Sequence, residues 1–409
     1  MIATYIKLAW RNLFRNKRRS FIAGTAIGIG LASLIFTDAL IIGMKENMIH
    51  SATSSFLGEG QIHRQGFRKT QEIEATVNNL DQVIDSLEKE PLVEKFTPRV
   101  MAFGMVTSAA NLSPVNVVGV KPSSERFLSQ IDDALQQGSY FEEQSPREIL
   151  IGSKLAEILE VKLNDRLVVT VSQAESGDLS QELFRVSGIF HFNVREMDRG
   201  MVFIRLEKAQ EMLGIPDKIH QIALTFKDIS IGQDENHPIW EKYSDFGNEA
   251  VGWTEILPQI KFALEMSDFS VYIMAVILLG VVALCIINTL FMSLYERIFE
   301  FGVLRAVGTR KIGVGKLILF EAWTLSVLSI FLGSIIGFII TLITASAGID
   351  YTGIEFAGMT FRELIYPVLT LNQFIKYPLW VMVFTVVIGI YPALYAAKIA
   401  PAEAMRKSL

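Results

Sequence analysis

The residues that could do chemistry are few and scattered. Five histidines, His50, His63, His191, His220 and His237, lack the spacing that a zinc site needs, and no Gly-x-Ser-x-Gly elbow presents a serine nucleophile. Gly313, Val314, Gly315 and Lys316 resemble the end of a phosphate-binding loop, but Leu317 follows where Ser or Thr is needed and Arg310 stands where the first glycine belongs. The chain is therefore expected to be no enzyme, with no catalytic, cofactor-binding or metal-binding residues of its own. Cys285, the only cysteine, lies in an apolar run, so no disulfide can brace the middle of the chain. Asp38 and Glu321 also fall in apolar runs, where a charge is costly enough to need a partner or a purpose. For Asp38 a structural pair and a lining role at the outer mouth both stay open. Glu321, close to a helix end, is expected to snorkel or to take a local hydrogen bond.

The elements that must position these residues are set by hydropathy. Half of the 409 residues are hydrophobic and only 20% are charged, which points to a membrane protein, and the net charge of -5 excludes nucleic acid as the main partner. A bilayer core about 30 Å thick needs roughly twenty apolar residues in a helix. Four runs qualify: Phe21 to Met44, Ser270 to Leu294, Leu317 to Ala345 and Tyr377 to Ile399. The first is too long for a signal peptide and reads as a retained helix. Gly24/Gly28 and Gly333/Gly337 have the spacing of close helix contacts, within the chain or across a dimer.

Basic residues set the orientation. Lys7, Arg11, Arg15, Lys17, Arg18 and Arg19 precede the first run, and Arg297, Arg305, Arg310, Lys311 and Lys316 lie between the second and third. Both faces are thus expected to be cytoplasmic, as are both termini. The resulting layout is an α-helical membrane protein with four transmembrane helices and a large mixed α/β extracytoplasmic domain inserted between helices 1 and 2. Its parts are an in-plane amphipathic helix (1–16), helix 1 (17–44), the outer domain (45–269), helix 2 (270–294), a cytoplasmic loop (295–316), helix 3 (317–345), an outer loop (346–376), helix 4 (377–399) and a cytoplasmic tail (400–409).

In the first sixteen residues Ile2, Tyr5, Ile6, Ala9, Trp10, Leu13 and Phe14 recur at helical spacing opposite Lys7, Arg11 and Arg15, as in a helix lying in the membrane plane. Within the outer domain, Val83 to Glu88 and Glu125 to Leu135 read as helices. Val115 to Val120, Arg166 to Val171, Phe184 to Phe190, Met201 to Ile204 and Gln221 to Phe226 read as strands. The polar stretch Gln173 to Glu182 suits a hairpin or loop, and Trp253 to Met266 a helix running directly into the second transmembrane run.

Three segments together resemble a known family. The strongest is Glu296, Arg297, Ile298, Phe299, Glu300, Phe301, Gly302, Val303, Leu304, Arg305, Ala306, Val307, Gly308. At the start stand Trp10, Arg11, Asn12, Leu13, Arg15, Asn16, Lys17, Arg18 and Arg19, and at the end Tyr391, Pro392, Ala393, Ala396, Ala397, Pro401, Ala402, Glu403, Ala404, Met405 and Arg406. These resemble the FtsX-like, or MacB-type, ABC transporter permeases, and the layout of one helix, an outer domain and three further helices is similar as well.

The resemblance implies a permease in the bacterial inner membrane that pairs with a second permease, as a homodimer or heterodimer, and binds two copies of a cytoplasmic ABC ATPase subunit. ATP and magnesium would be used by that partner. Glu296 to Gly308 would be the coupling helix, with Phe301 and Leu304 as apolar anchors and Glu296, Arg297, Glu300 and Arg305 as its charges. Within the family, Val117 to Pro122 and Phe184 to Phe190 followed by Glu196, Met197 and Asp198 resemble the lipoprotein-releasing LolC and LolE permeases. That branch implies acylated cargo, contact with membrane lipids and a periplasmic chaperone or adaptor. MacB-like efflux of peptides, toxins or drugs and FtsX-like signalling to a cell-wall hydrolase remain alternatives. Extraction of an acyl chain requires an apolar cleft open to the bilayer, for which Leu40, Met44, Met48, Phe262, Met266 and Phe269 are the candidates.

Overall fold

The computed structural model describes residues 2–15, 17–141, 145–192, 194–356, 359–361 and 364–398. The chain forms two compact units, one of Met1–Glu46, Leu264–Asp350 and Leu364–Leu409, the other of Asn47–Ala263 and Tyr351–Glu363.

The first unit is built from helices: α1 (Ile2–Arg15), α2 (Lys17–Ala52), α3 (Pro258–Glu296), α4 (Ile298–Ala306), α5 (Lys311–Ala347) and α6 (Gln373–Lys398). Of these, α2, α3, α5 and α6 are long and apolar enough to cross a membrane. They expose Val276, Leu284, Phe331, Ile343 and Val383, an outward apolar surface suited to hydrocarbon rather than water. Inside, Ile27, Leu31 and Ile35 of α2 pack with Ile286 and Leu290 of α3, Ala322 and Leu325 of α5, and Val381 of α6. On α1, Ala9 is buried and Trp10 exposed. The side chains of Ile2, Tyr5, Leu13 and Phe14, and the whole tail segment Pro401 to Arg406, lie outside the described residues.

Glycine brings α2 and α5 together. A Cβ on Gly333 would stand 2.6 Å from the Gly28 carbonyl oxygen, and one on Gly337 3.2 Å from the Ala32 Cα. The small residues foreseen as a helix contact therefore meet within one chain. Gly333→Leu meets the Gly28 backbone and the Leu31 Cβ, neither of which is the far end of a flexible side chain. We expect it to lower stability by about 1–3 kcal/mol, read as a reduced thermal midpoint of the full chain in detergent. An unchanged midpoint would mean that this crossing is loose.

The helices extend beyond the apolar runs that mark the spans. α2 continues past Met44 to Ala52 and then widens into a π-helical turn, Thr53–Leu57, while α3 starts at Pro258, ahead of Ser270. Polar residues such as Lys45, Glu46 and Asn47 lengthen a helix without adding to its apolar run. The expected continuous helix from Trp253 is broken: Trp253–Ile256 is a separate turn that ends at Leu257, and Pro258, which lacks an N–H, starts α3 anew.

The second unit is organised by a ten-stranded sheet. Its strands are β1 (Gly60–Arg64), β2 (Val93–Thr107), β3 (Leu112–Val120), β4 (Leu135–Gly138), β5 (Glu148–Gly152), β6 (Arg166–Ser172), β7 (Leu179–Phe190), β8 (Met201–Arg205), β9 (Gln221–Phe226) and β10 (Asn248–Gly252). They follow the order β10-β1-β9-β2-β3-β8-β5-β7-β4, and β6 pairs with both β2 and β7. That double pairing closes β2-β3-β8-β5-β7-β6 into a ring, which removes the edges an open sheet would leave. Alternate residues fill two cores: Val115, Val117, Ile149, Ile151, Val202 and Ile204 face one, and Val118, Val120, Leu150 and Phe203 the other. Burial on both faces explains why these strands read as continuous apolar runs.

Strands β1, β2, β4, β5 and β10 escaped the sequence reading, the first two because Gln61, His63, Thr97 and Arg99 are buried polar residues. The expected helix over Glu125 to Leu135 is absent beyond one turn, Pro122–Glu125. The chain leaves helical pairing there because the Gln130 N–H donates to the Ser54 carbonyl, while Arg99 holds the Glu125 side chain. Of the polar stretch Gln173 to Glu182, Gln173 to Asp178 forms the turn between β6 and β7, and Leu179 to Glu182 are instead paired in β7.

His63 gives this unit an acid-sensitive limb. Burial, reinforced by the charge of Arg68, pushes its imidazole down to about 3, and burial also lowers His220 across the Phe67 ring. Unfolded histidine protonates near pH 6.5, so below that value the unfolded chain takes up protons that the fold refuses. Stability from His63 is full above about pH 6.5 and falls toward pH 3, by up to about 1.4 kcal/mol per pH unit. His63→Gln, which cannot titrate, is expected to flatten the plot of thermal midpoint against pH over this range. An identical acid limb would exclude His63 as its source.

Candidate functional site

At the end of the helical unit that carries α4, charges from four segments interlock. Arg297, the N-cap of α4, donates from Nε to Glu300 Oε2 at 2.9 Å and from Nη1 to Glu321 Oε1 on α5. Asn12 of α1 donates to the same Glu321 oxygen at 2.7 Å. Arg15 bonds Glu300 at 2.8 Å and Arg19 bonds Glu296 at 2.6 Å, so α1 and the start of α2 are fastened to this corner. Arg305 donates to the Ala397 carbonyl at 3.2 Å. Partial burial raises the Glu300 carboxyl, but hydrogen bonds and charge from Arg297 and Arg15 outweigh it and hold the group below its ordinary value. A chain reversal after Val307 uses Gly308 at φ +108°, a conformation that L side chains seldom adopt, before α5 begins.

The geometry divides the coupling candidates. Phe301 is only 3% exposed; its ring lies under the Arg297 guanidinium and packs with Leu294, Val314, Leu317, Ile318, Ala393 and Ala396. It anchors α4 to its own chain and so cannot serve as an apolar anchor for a partner. Leu304 is exposed, and so are Phe299, Val303 and Val307, at spacings of three and four residues. Of this outward apolar face the sequence reading named only Leu304; the signal for the rest was the 299, 303, 307 repeat, hidden among other apolar residues. Glu296, Arg297, Glu300 and Arg305 all have partners within the chain.

At the opposite end of the helices, Asp38 is fully accounted for. Tyr377 Oη donates to Oδ1 at 2.6 Å and Gln373 Nε2 to Oδ2 at 3.0 Å, while the Val368 N–H bonds the Ala39 carbonyl at 2.9 Å. Of the two readings left open, the structural pair is the one observed. Lys45 pairs with Asp268 at 2.5 Å, joining α2 to α3. Of the cleft candidates, Leu40 and Met44 are half-buried on α2 and Met266 and Phe269 are exposed on α3, all in the helical unit; Met48 is buried and Phe262 exposed in the other unit.

Among the described residues no three His, Cys, Asp or Glu side chains converge as a metal would require. The Gly313 to Lys316 segment is helical, part of α5, so its amides are not free to cradle a phosphate. One Ser–His–Asp contact exists: Ser153 Oγ lies 2.8 Å and Asp198 Oδ2 2.9 Å from His191 Nδ1. Both meet the same nitrogen, whereas a relay needs the carboxylate on one and the serine on the other.

Residues 20–233 match the model of the MacB-like periplasmic core domain, more than half of the chain, and residues 272–401 match that of the FtsX-like permease C-terminal domain. The chain belongs to the FtsX-like, MacB-type family of ABC transporter permeases. The lipoprotein-releasing system transmembrane protein LolC of Xylella fastidiosa is 22% identical over 98% of this chain and 98% of its own. LolE of Haemophilus influenzae is 20% identical over 81% of this chain and 82% of its own. The periplasmic region of MacB from Actinobacillus actinomycetemcomitans aligns with 49% of this permease and 92% of that structure, at 15% identity and a TM-score of 0.33. The FtsX-like model takes in α4, α5 and α6, so Arg297, Glu300 and Glu321 fall inside the matched segment, while Asn12, Arg15 and Arg19 lie outside both models.

Proposed function

We propose that this permease is the membrane subunit of a lipoprotein-releasing transporter, standing in the bacterial inner membrane with both termini cytoplasmic. The observation that supports it is the likeness to LolC along the whole chain. In this reading the β-rich unit is extracytoplasmic, between the first and second spans, and α4 faces the cytoplasm. A separate ABC ATPase, two copies for a pair of permeases, hydrolyses ATP with magnesium and docks on the exposed Phe299, Val303, Leu304 and Val307 face. Docking rests on apolar anchors rimmed by charge, and here the rim is fixed in advance by the Arg15, Arg297 and Glu300 bonds. Motion of α4 then passes to α5 through the Arg297–Glu321 bond and to α1 through the Glu300–Arg15 bond, while Asn12 ties α1 to α5 at Glu321.

The cargo end works by hydrophobic burial. Each CH₂ of an acyl chain that an apolar surface keeps out of water carries about 0.8 kcal/mol. Met44, Met266 and Phe269 provide adaptable apolar surface beside the Lys45–Asp268 pair.

Mass spectrometry of proteins and lipids that copurify from the native membrane tests the assignment. An ATPase together with an acylated protein supports it, whereas an ATPase with a membrane-fusion adaptor and no acylated protein would redirect it to efflux. For the docking face, Val303→Asp places a charge on an exposed residue. It is expected to leave the fold intact and lower ATPase recovery at least tenfold, since a central apolar anchor is worth about 2 kcal/mol. Undiminished recovery would remove this face from consideration.

A further inference from the structure

We propose that Lys376 and the rings around it form a binding site for the phosphate of an anionic membrane phospholipid, whose acyl chain follows the outward face of α6. The site lies within the helical unit. Lys376 Nζ stands 5.8 Å from the ring centre of Tyr272, 5.3 Å from that of Tyr377 and 5.4 Å from that of Trp380. Three rings from two helices thus surround one ammonium group. Their positions are built: Tyr377 is buried and tied to Asp38, and its ring meets Trp380 edge-on at 6.1 Å.

Lys376 forms no ion pair with a carboxylate among the described residues, and two acids near it, Asp38 and Asp268, are already engaged. Asp38 accepts from Tyr377 and Gln373, and Asp268 pairs with Lys45. An ammonium held by ring faces is stabilised but not neutralised, because a quadrupole supplies attraction without countercharge. An anion completes it.

What identifies that anion as a lipid headgroup is the surface beside it. Leu379 and Val383 follow Lys376 at three and seven residues, Val387 at eleven, and all three are exposed on the same side of the helix. Lys376 lies in the first turn of α6, at the end of the span, where Trp, Tyr and Lys together mark the headgroup level. A soluble phosphate would use the cation but has no need of the stripe; a phospholipid uses both.

The test uses the full permease with its native partners in nanodiscs containing equal phosphatidylglycerol and phosphatidylcholine, with retained lipid read by native mass spectrometry. Phosphatidylglycerol is expected to be retained in preference to phosphatidylcholine. Lys376→Gln should lower its retention about fivefold, the equivalent of about 1 kcal/mol for one basic residue at a membrane surface. Lys376→Arg, which keeps the charge and the ring contacts, should retain it. Should Lys376→Gln fail to assemble, Tyr272→Leu removes one exposed ring and is expected to shift retention the same way. Equal retention of the two lipids, retention unchanged in the glutamine and leucine variants, or displacement of the lipid by excess inorganic phosphate would each overturn the proposal. None of these readouts depends on cargo or ATPase identity, so the lipid site and the transport reading can fail separately.

Discussion

Arg99→Met is expected to destabilise the β-rich unit by about 3–5 kcal/mol, because it strands a carboxylate in the interior. Arg99 and Glu125 are both 0% exposed and pair through two bonds, Nε to Oε2 at 3.0 Å and Nη2 to Oε1 at 2.6 Å. The guanidinium also covers the Phe56 ring at 3.8 Å and reaches Gln221 Oε1 at 3.4 Å. Removing the arginine takes this pairing from Glu125 in a fully buried site. Removing both charges together is a different experiment. Arg99→Met with Glu125→Leu should recover most of the loss, since a buried pair replaced by apolar residues of similar volume is often neutral. Denaturant unfolding of the full chain, followed by proteolysis of the unit, measures both. Single and double variants of equal stability would mean that the pair contributes no coupling.

Arg297→Ala is expected to detach α4 from the helical unit. It removes the donor that joins Glu300 to Glu321 and uncovers the Phe301 ring, leaving Glu321, only 6% exposed, with Asn12 alone. The local loss should again be about 3–5 kcal/mol, enough to raise amide exchange across α4 by more than a hundredfold. If α4 relays ATPase motion, hydrolysis should persist while release stops. Glu321→Gln, which keeps an acceptor for Asn12 and Arg297, should cause a smaller change. Exchange in α4 that does not respond to Arg297→Ala would show that Phe301 packing alone holds it.

The contrast between these two pairs shows what was legible in the residues. Arg297 and Glu321 could be singled out beforehand, one from its place in a family motif and the other as a carboxylate in an apolar run, yet nothing in their spacing joins positions 24 residues apart. Arg99 and Glu125 attracted no notice, since a charge in a mixed, polar stretch reads as solvated. Only the fold shows that β2 carries Arg99 into the interior opposite the turn that bears Glu125. Phe301 illustrates the opposite error. An aromatic residue in a motif was assigned outward, but the two faces of a nine-residue helix flanked by apolar spans cannot be told apart by hydropathy.

The sequence by itself determined four long apolar helices, five of the strands and the family of the permease. Each of these rests on local pattern: hydrophobic run length, alternation of side chains, or a contiguous motif. The tertiary structure alone decided which glycines meet, where Asp38 and Glu321 find donors, that β6 closes the sheet into a ring, and which side of α4 remains exposed. These depend on contacts between residues distant in the chain, where the favourable choice is set by what arrives from elsewhere and not by any residue's neighbours in sequence.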